Sequence, residues 1–121
     1  MTLILRDENG KIISDDNPVV TEHNGVTGDI LILPLTIENT ERKFFHRNIA
    51  ISVTSKPPID ATLSLPASPN PRSYFPRVEI SRINPMEKMT FHLKTVCGAD
   101  TPEQVVSGTT ICVTSMRFPV A

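Results

Sequence analysis

The sequence predicts an all-β domain, an immunoglobulin-like sandwich of about seven antiparallel strands with one short helical turn. Three observations carry this. Eleven prolines scattered through 121 residues leave long helices nowhere to form. Apolar residues recur with a period of two in separate segments, which is the signature of strands with one buried and one wet face. Clusters of Asn, Asp, Gly and Pro punctuate the segments. The length suits one domain over residues 1–121, with 1–28 as a leading hairpin and edge-strand segment.

In chain order, Thr2 to Arg6 and Lys11 to Ser14 flank Asp7-Glu8-Asn9-Gly10, whose Asn-Gly pair supplies the positive φ angles of a tight hairpin turn. Asp15 to Gly28 holds a short Val19-Val20-Thr21 run between turn residues and reads as a broken edge strand. In Asp29 to Glu38, Leu31, Leu33, Leu35 and Ile37 alternate; Ile30 and Ile32 fill the second face, so this strand is expected to begin covered on both sides. Pro34 requires a bulge or an unpaired position there. Asn48 to Ser55 alternates Ile49, Ile51 and Val53 against Ala50, Ser52 and Thr54. Pro66 to Pro76 is an extended or turning loop. Val78 and Ile80, then Met89, Phe91 and Leu93, repeat the two-residue period. Thr101-Pro102-Glu103-Gln104 has the form of a helix start, with Val105 to Gly108 ending it within about two turns. Thr109 to Ser115 is the last strand, so strand-like segments run almost to both termini, as in a complete domain.

The strand ending Leu35-Thr36-Ile37-Glu38-Asn39 and the later turn Ile83-Asn84-Pro85-Met86-Glu87 before Met89-Thr90-Phe91-His92-Leu93 resemble the motifs of bacterial and phage immunoglobulin-like adhesion-type modules. The resemblance covers Asp29 to Ser115. Over Leu35 to Pro58 the chain is also similar to the major-sperm-protein-like domains, seven-stranded sandwiches themselves. Both resemblances imply a sandwich fold. The chain departs from the adhesion pattern at Asn39 to Arg47, where a long segment replaces a small turn, and it lacks the Trp and paired cysteines of antibody domains.

Twelve basic and thirteen acidic residues give a net charge of -1, which points to neither nucleic acid nor an anionic membrane as partner. The first residues lack the pattern of a signal peptide and no stretch is long and apolar enough to span a bilayer, so a soluble protein made in a cytoplasm is expected. His23, His46 and His92 form no metal-ligand spacing, Asp15-Asp16-Asn17 lacks the frame of a calcium loop, and no glycine loop or nucleophile motif occurs. No cofactor, no metal and no enzymatic activity are expected. Cys97 shares the parity of Phe91 and Leu93 whereas Cys112 is out of phase with Ile111 and Val113, which argues against a shared bridge and for two reduced, mostly buried thiols. By the same parity, a Cys97–His92 pair would point apart.

Two segments remain as candidate contact surfaces. Arg42, Lys43, Phe44, Phe45, His46 and Arg47 place basic residues around two adjacent aromatics, the composition either of a docking loop or of a Phe plugging the sandwich end. Tyr74 and Phe75 end the proline-rich stretch, as an arm on a neighbour or a connection folded back on its own domain. The expected function is a non-catalytic assembly module that contacts other protein subunits or its own copies. A tailed-phage virion accessory, on capsid or tail, is the leading case. A surface carbohydrate- or peptide-binding module is the alternative, and a hydrolase assembled from distant residues the third reading.

Overall fold

The computed structural model describes residues 3–14, 19–23, 30–54, 59–65, 74–97 and 105–120. Among these described residues eight strands follow one another: β1 (Leu3–Arg6), β2 (Val19–His23), β3 (Ile30–Asn39), β4 (Phe44–Thr54), β5 (Ile59–Ser64), β6 (Arg77–Ile83), β7 (Lys88–Cys97) and β8 (Val105–Pro119). They form two four-stranded antiparallel sheets, ordered β1-β3-β7-β5 and β2-β8-β4-β6. Each strand lies in the sheet opposite to its predecessor, so every ladder joins segments that are not neighbours along the chain.

The two-residue period explains how these sheets meet. Leu3, Leu5, Leu35, Ile37, Leu63, Phe91 and Leu93 of the first sheet pack with Ile49, Ile51, Val53, Val78, Ile80 and Ile83 of the second in one buried cluster. Burying such side chains stabilises by roughly 1.5–3 kcal/mol each, and this layer holds the sheets together. β7 keeps its phase to the end, so Cys97 is buried, while on β8 the phase leaves Cys112 exposed between half-buried Ile111 and Val113. The two cysteines remain thiols, and the expectation that both are buried fails at Cys112.

Other expectations are corrected. Val105 to Gly108 belongs to a strand and not to a helical turn: Val106 pairs with Glu22 and Gly108 with Val20, an extended form that β-branched valines favour. No helix occurs among the described residues, and Thr101 to Gln104 lie outside them. The last strand runs past Ser115 to Pro119, and β4 begins at Phe44, so most of the Asn39 to Arg47 segment is sheet. Ile30 and Ile32 are each 51% exposed, because the outer face at the start of β3 has no cover among the described residues. In the first turn only Gly10 has a positive φ, 83°; Asp7 organises it, its carboxylate accepting from the amides of Asn9 and Lys11. Beyond it isolated bridges at Ile12, paired with Arg6, and at Ser14 stand in place of the expected second hairpin strand.

Pro34 is accommodated without a bulge. The Asn39 amide donates to the Glu87 carbonyl just before β7, and since amides alternate sides along a strand, the nitrogen of Pro34 faces the β1 side. There the β1 ladder has already ended at Thr36, so no ladder bond is lost. Two antiparallel sheets packed across one buried layer are consistent with a β-sandwich.

Candidate functional site

The segment that the sequence marks as unusual sits at one end of β4, held in place by Asn39. This fully buried side chain donates its Nδ2 hydrogens to the carbonyls of Phe44 (2.8 Å) and Asn84 (3.1 Å), while its Oδ1 accepts from the Glu41 amide (3.0 Å). The Met86 amide donates to the Glu41 carbonyl, 3.2 Å. The two short motifs that carry the adhesion-module resemblance thus meet in space, and Asn39 joins them.

Along the first residues of β4 the side chains alternate. Phe44 and His46 share one face, Phe45 and Arg47 the other. Cross-strand neighbours complete the outer face: β8 brings Phe118 opposite Phe45 and Met116 opposite Arg47, and β6 brings Arg82 opposite Arg47. The Phe45 and Phe118 rings stack with centroids 5.5 Å apart, and the Arg82 guanidinium lies 3.9 Å from the Phe45 centroid. Each contact comes from a different flanking strand, so Phe45 is the middle of a Phe118–Phe45–Arg82 stack. Met116, 51% exposed, and the exposed Arg47 adjoin it. Phe44 and Phe45 are both half-buried, and the fully buried side chain of this segment is His46. Arg42 and Lys43 are exposed in the connection before β4.

A β-bulge fixes this geometry. Arg47 pairs with Met116 but Ala50 with Thr114, so β4 carries one extra residue opposite Ser115. Asn48 absorbs it with a φ of 51°, a left-handed conformation that Asn tolerates better than most residues. His46 and Ile49 can therefore both face inward although three positions apart, and the burial of Ile80 and Ile83 on β6 repeats the same slip.

Behind Phe44 lies a polar network that the sequence did not reveal. Ser115 Oγ is 2.8 Å from His46 Nδ1, and Glu41 Oε1 is 3.8 Å from His46 Nε2. A carboxylate near Nε2 favours the proton there, leaving Nδ1 to accept from the serine hydroxyl, which is the polarity of a Ser–His–carboxylate hydrolase. Arg117 alters that reading, since its Nε and Nη2 donate to both Glu41 oxygens and neutralise the charge an imidazolium would need. Burial lowers the pKa of His46, with Arg117 acting in the same direction and Glu41 opposing. Arg117 also covers the Phe44 ring at 3.5 Å. The arrangement ties β4 to β8 through the His46 imidazole; the exposed guanidinium caps it.

Tyr74 and Phe75 are not brought to this face. Arg77 pairs with Ser52 and Ile83 with His46, so the segment leading into β6 lies at the opposite end of β4. The Phe75 amide and carbonyl both bond to Leu63, which folds this stretch back on the β5 edge, and the Tyr74 ring faces the Lys94 ammonium at 5.0 Å. A cleft of about 550 Å³ elsewhere is lined by residues that include Ile4, Ile12, Ile13, Ile111 and Cys112. Among the described residues no group of three or more His, Cys, Asp or Glu could hold a metal ion. Nor is any helix there long and apolar enough to cross a membrane.

Arg82, Met116 and Phe118 belong to the face yet carried no signal in the sequence, because register between β4, β6 and β8 is non-local. Compared with known proteins, the chain matches no family model, no curated protein and no solved structure.

Proposed function

We propose that this chain is a non-catalytic assembly module that contacts another protein subunit through the outer face of β8, β4 and β6 around Phe45, Phe118, Met116, Arg47 and Arg82. The observation that carries the reading is the composition of that face: a preorganised aromatic stack with an exposed methionine and two arginines, the residue types enriched at the centres of interfaces. The polar network behind it supports a scaffold role, because Glu41 is engaged by Arg117 and not reserved for His46.

The immunoglobulin-like reading of the fold is supported by the order β1-β3-β7-β5, which follows the A-B-E-D order of an immunoglobulin sheet when the intervening strands of the other sheet are skipped. The strict crossing from sheet to sheet at every step is closer to the connectivity of a jelly roll, an architecture used in viral capsid and lectin domains. On that fold-level analogy alone, a virion accessory on capsid or tail is the assembly we put first. The analogy extends to lectins, but a chain with no Trp and a single Tyr, its ring beside Lys94, is poorly furnished for sugar stacking.

Light scattering at low and high concentration, on the wild type and on Met116→Glu, tests the assembly role. Growth in mass that the substitution abolishes supports self-assembly through this face. If both proteins stay monomeric, competition between them for incorporation into particles from the source decides, and equal incorporation overturns the proposed role.

A further inference from the structure

Arg47 and Arg82 are ladder partners on β4 and β6, so two like charges stand directly opposite each other on one face. Such a pair is destabilising when nothing lies between. Both are exposed, and among the described residues no carboxylate lies within ion-pair distance of either, although Arg6, Arg77 and Arg117 each have one. Arg82 is held in place nonetheless: its guanidinium stacks on Phe45, and its Nε donates to Asn84 Oδ1 at 2.7 Å. Its two Nη groups are left as donors in a fixed plane, the fork that matches a carboxylate.

Resting on the assembly reading above, we infer that Arg47 and Arg82 form a carboxylate receptor, and that the partner docking on this face places an Asp or Glu side chain between them. The apolar surface of Phe118 and Met116 beside the pair suits a protein segment in which an apolar side chain neighbours the acidic one. A single-stranded nucleic acid is disfavoured. The Phe45 ring is occupied by Arg82 on one side and Phe118 on the other, so it offers no open face to a base. The chain's net charge of -1 adds no long-range attraction for a polyanion.

The test is a titration of the full chain, followed by the amide and arginine Nε resonances in NMR, with two end-blocked peptides that alternate Leu with Glu or Leu with Gln. An oligothymidylate of equal length is the third probe. The expected result is that the Glu peptide shifts the Arg82 Nε and the Met116 and Phe118 amides, binding about tenfold more tightly than the Gln peptide. Arg47→Gln/Arg82→Gln removes that preference, whereas Arg77→Gln, whose arginine already pairs with Glu79, keeps it. Equal affinity of the two peptides at these residues would overturn the carboxylate receptor and leave the docking face standing. No shift at the face with either peptide, stronger binding of the oligothymidylate, or consumption of the same resonances by self-association without any peptide would each overturn the receptor as well. The fate of the assembly reading is decided separately by the Met116→Glu comparison.

Discussion

His46 shows how much one side chain depends on its surroundings. Sequence placed it in a basic run, as one of several potentially positive groups, but burial drives it toward the neutral form and lowers its pKa from the usual 6.5. In the window between the lowered folded value and about 6.5, the unfolded chain binds more protons than the folded one, so stability rises with pH there. The contribution is complete above about 6.5 and is lost as pH falls through the folded value. Urea midpoints measured from about pH 8 to about pH 5 should therefore decline on the acid side, and His46→Gln should flatten that part of the curve. An unchanged decline in the variant would show that other groups cause it. The two thiols give a second prediction at this scale: in the native protein a thiol reagent should modify Cys112 rapidly and Cys97 only after unfolding, since one is exposed and the other buried. Parity along the strands was enough to tell the cysteines apart; it could not say that Cys112 faces solvent, because outward positions on a sheet are wet only if nothing packs on them.

Two elements keep a non-glycine residue at positive φ, and they should respond differently to substitution. In the turn before β7, Pro85 precedes Met86 at φ 60°, and the Glu87 amide donates to the Asn84 carbonyl at 3.1 Å, the form of a type II turn. Methionine is a poor residue for that position and its side chain is exposed. Met86→Gly should raise stability by about 1 kcal/mol, seen as a higher thermal midpoint. At the β4 bulge, Asn48 already suits its φ of 51°. Asn48→Gly should change little, whereas Asn48→Val should cost about 1–2 kcal/mol and disturb the Arg47–Met116 register that assembles the outer face. If Val were tolerated as well as Gly, the bulge would not be what positions that face. Neither position was legible beforehand. The Ile83 to Glu87 turn could be seen from its proline, but its backbone twist could not, and a bulge inside an alternating strand leaves the alternation beyond it intact.

For the whole molecule the connectivity predicts the kinetics. Among the described residues no two consecutive strands pair, so each ladder must close a loop before it gains its hydrogen bonds. Refolding should then occur over milliseconds to seconds, on the order seen for all-β domains rich in non-local contacts, and a stopped-flow experiment that found it complete in microseconds would contradict this. The same connectivity explains the limits of the sequence. Strand content, the inward positions on β3, β4, β6 and β7, the opposite phases of Cys97 and Cys112, and the unusual composition around Phe44 and Phe45 all follow from local chemistry, because a period of two and the turn residues are properties of adjacent residues. Which strands became neighbours was settled by tertiary packing. Packing drew Val105 to Gly108 into a strand beside β2, left Ile30 and Ile32 uncovered, and carried β8 on to Pro119. It also set Arg82, Met116 and Phe118 around Phe45. Those outcomes depend on registers between segments tens of residues apart, and no pattern within any one segment encodes them.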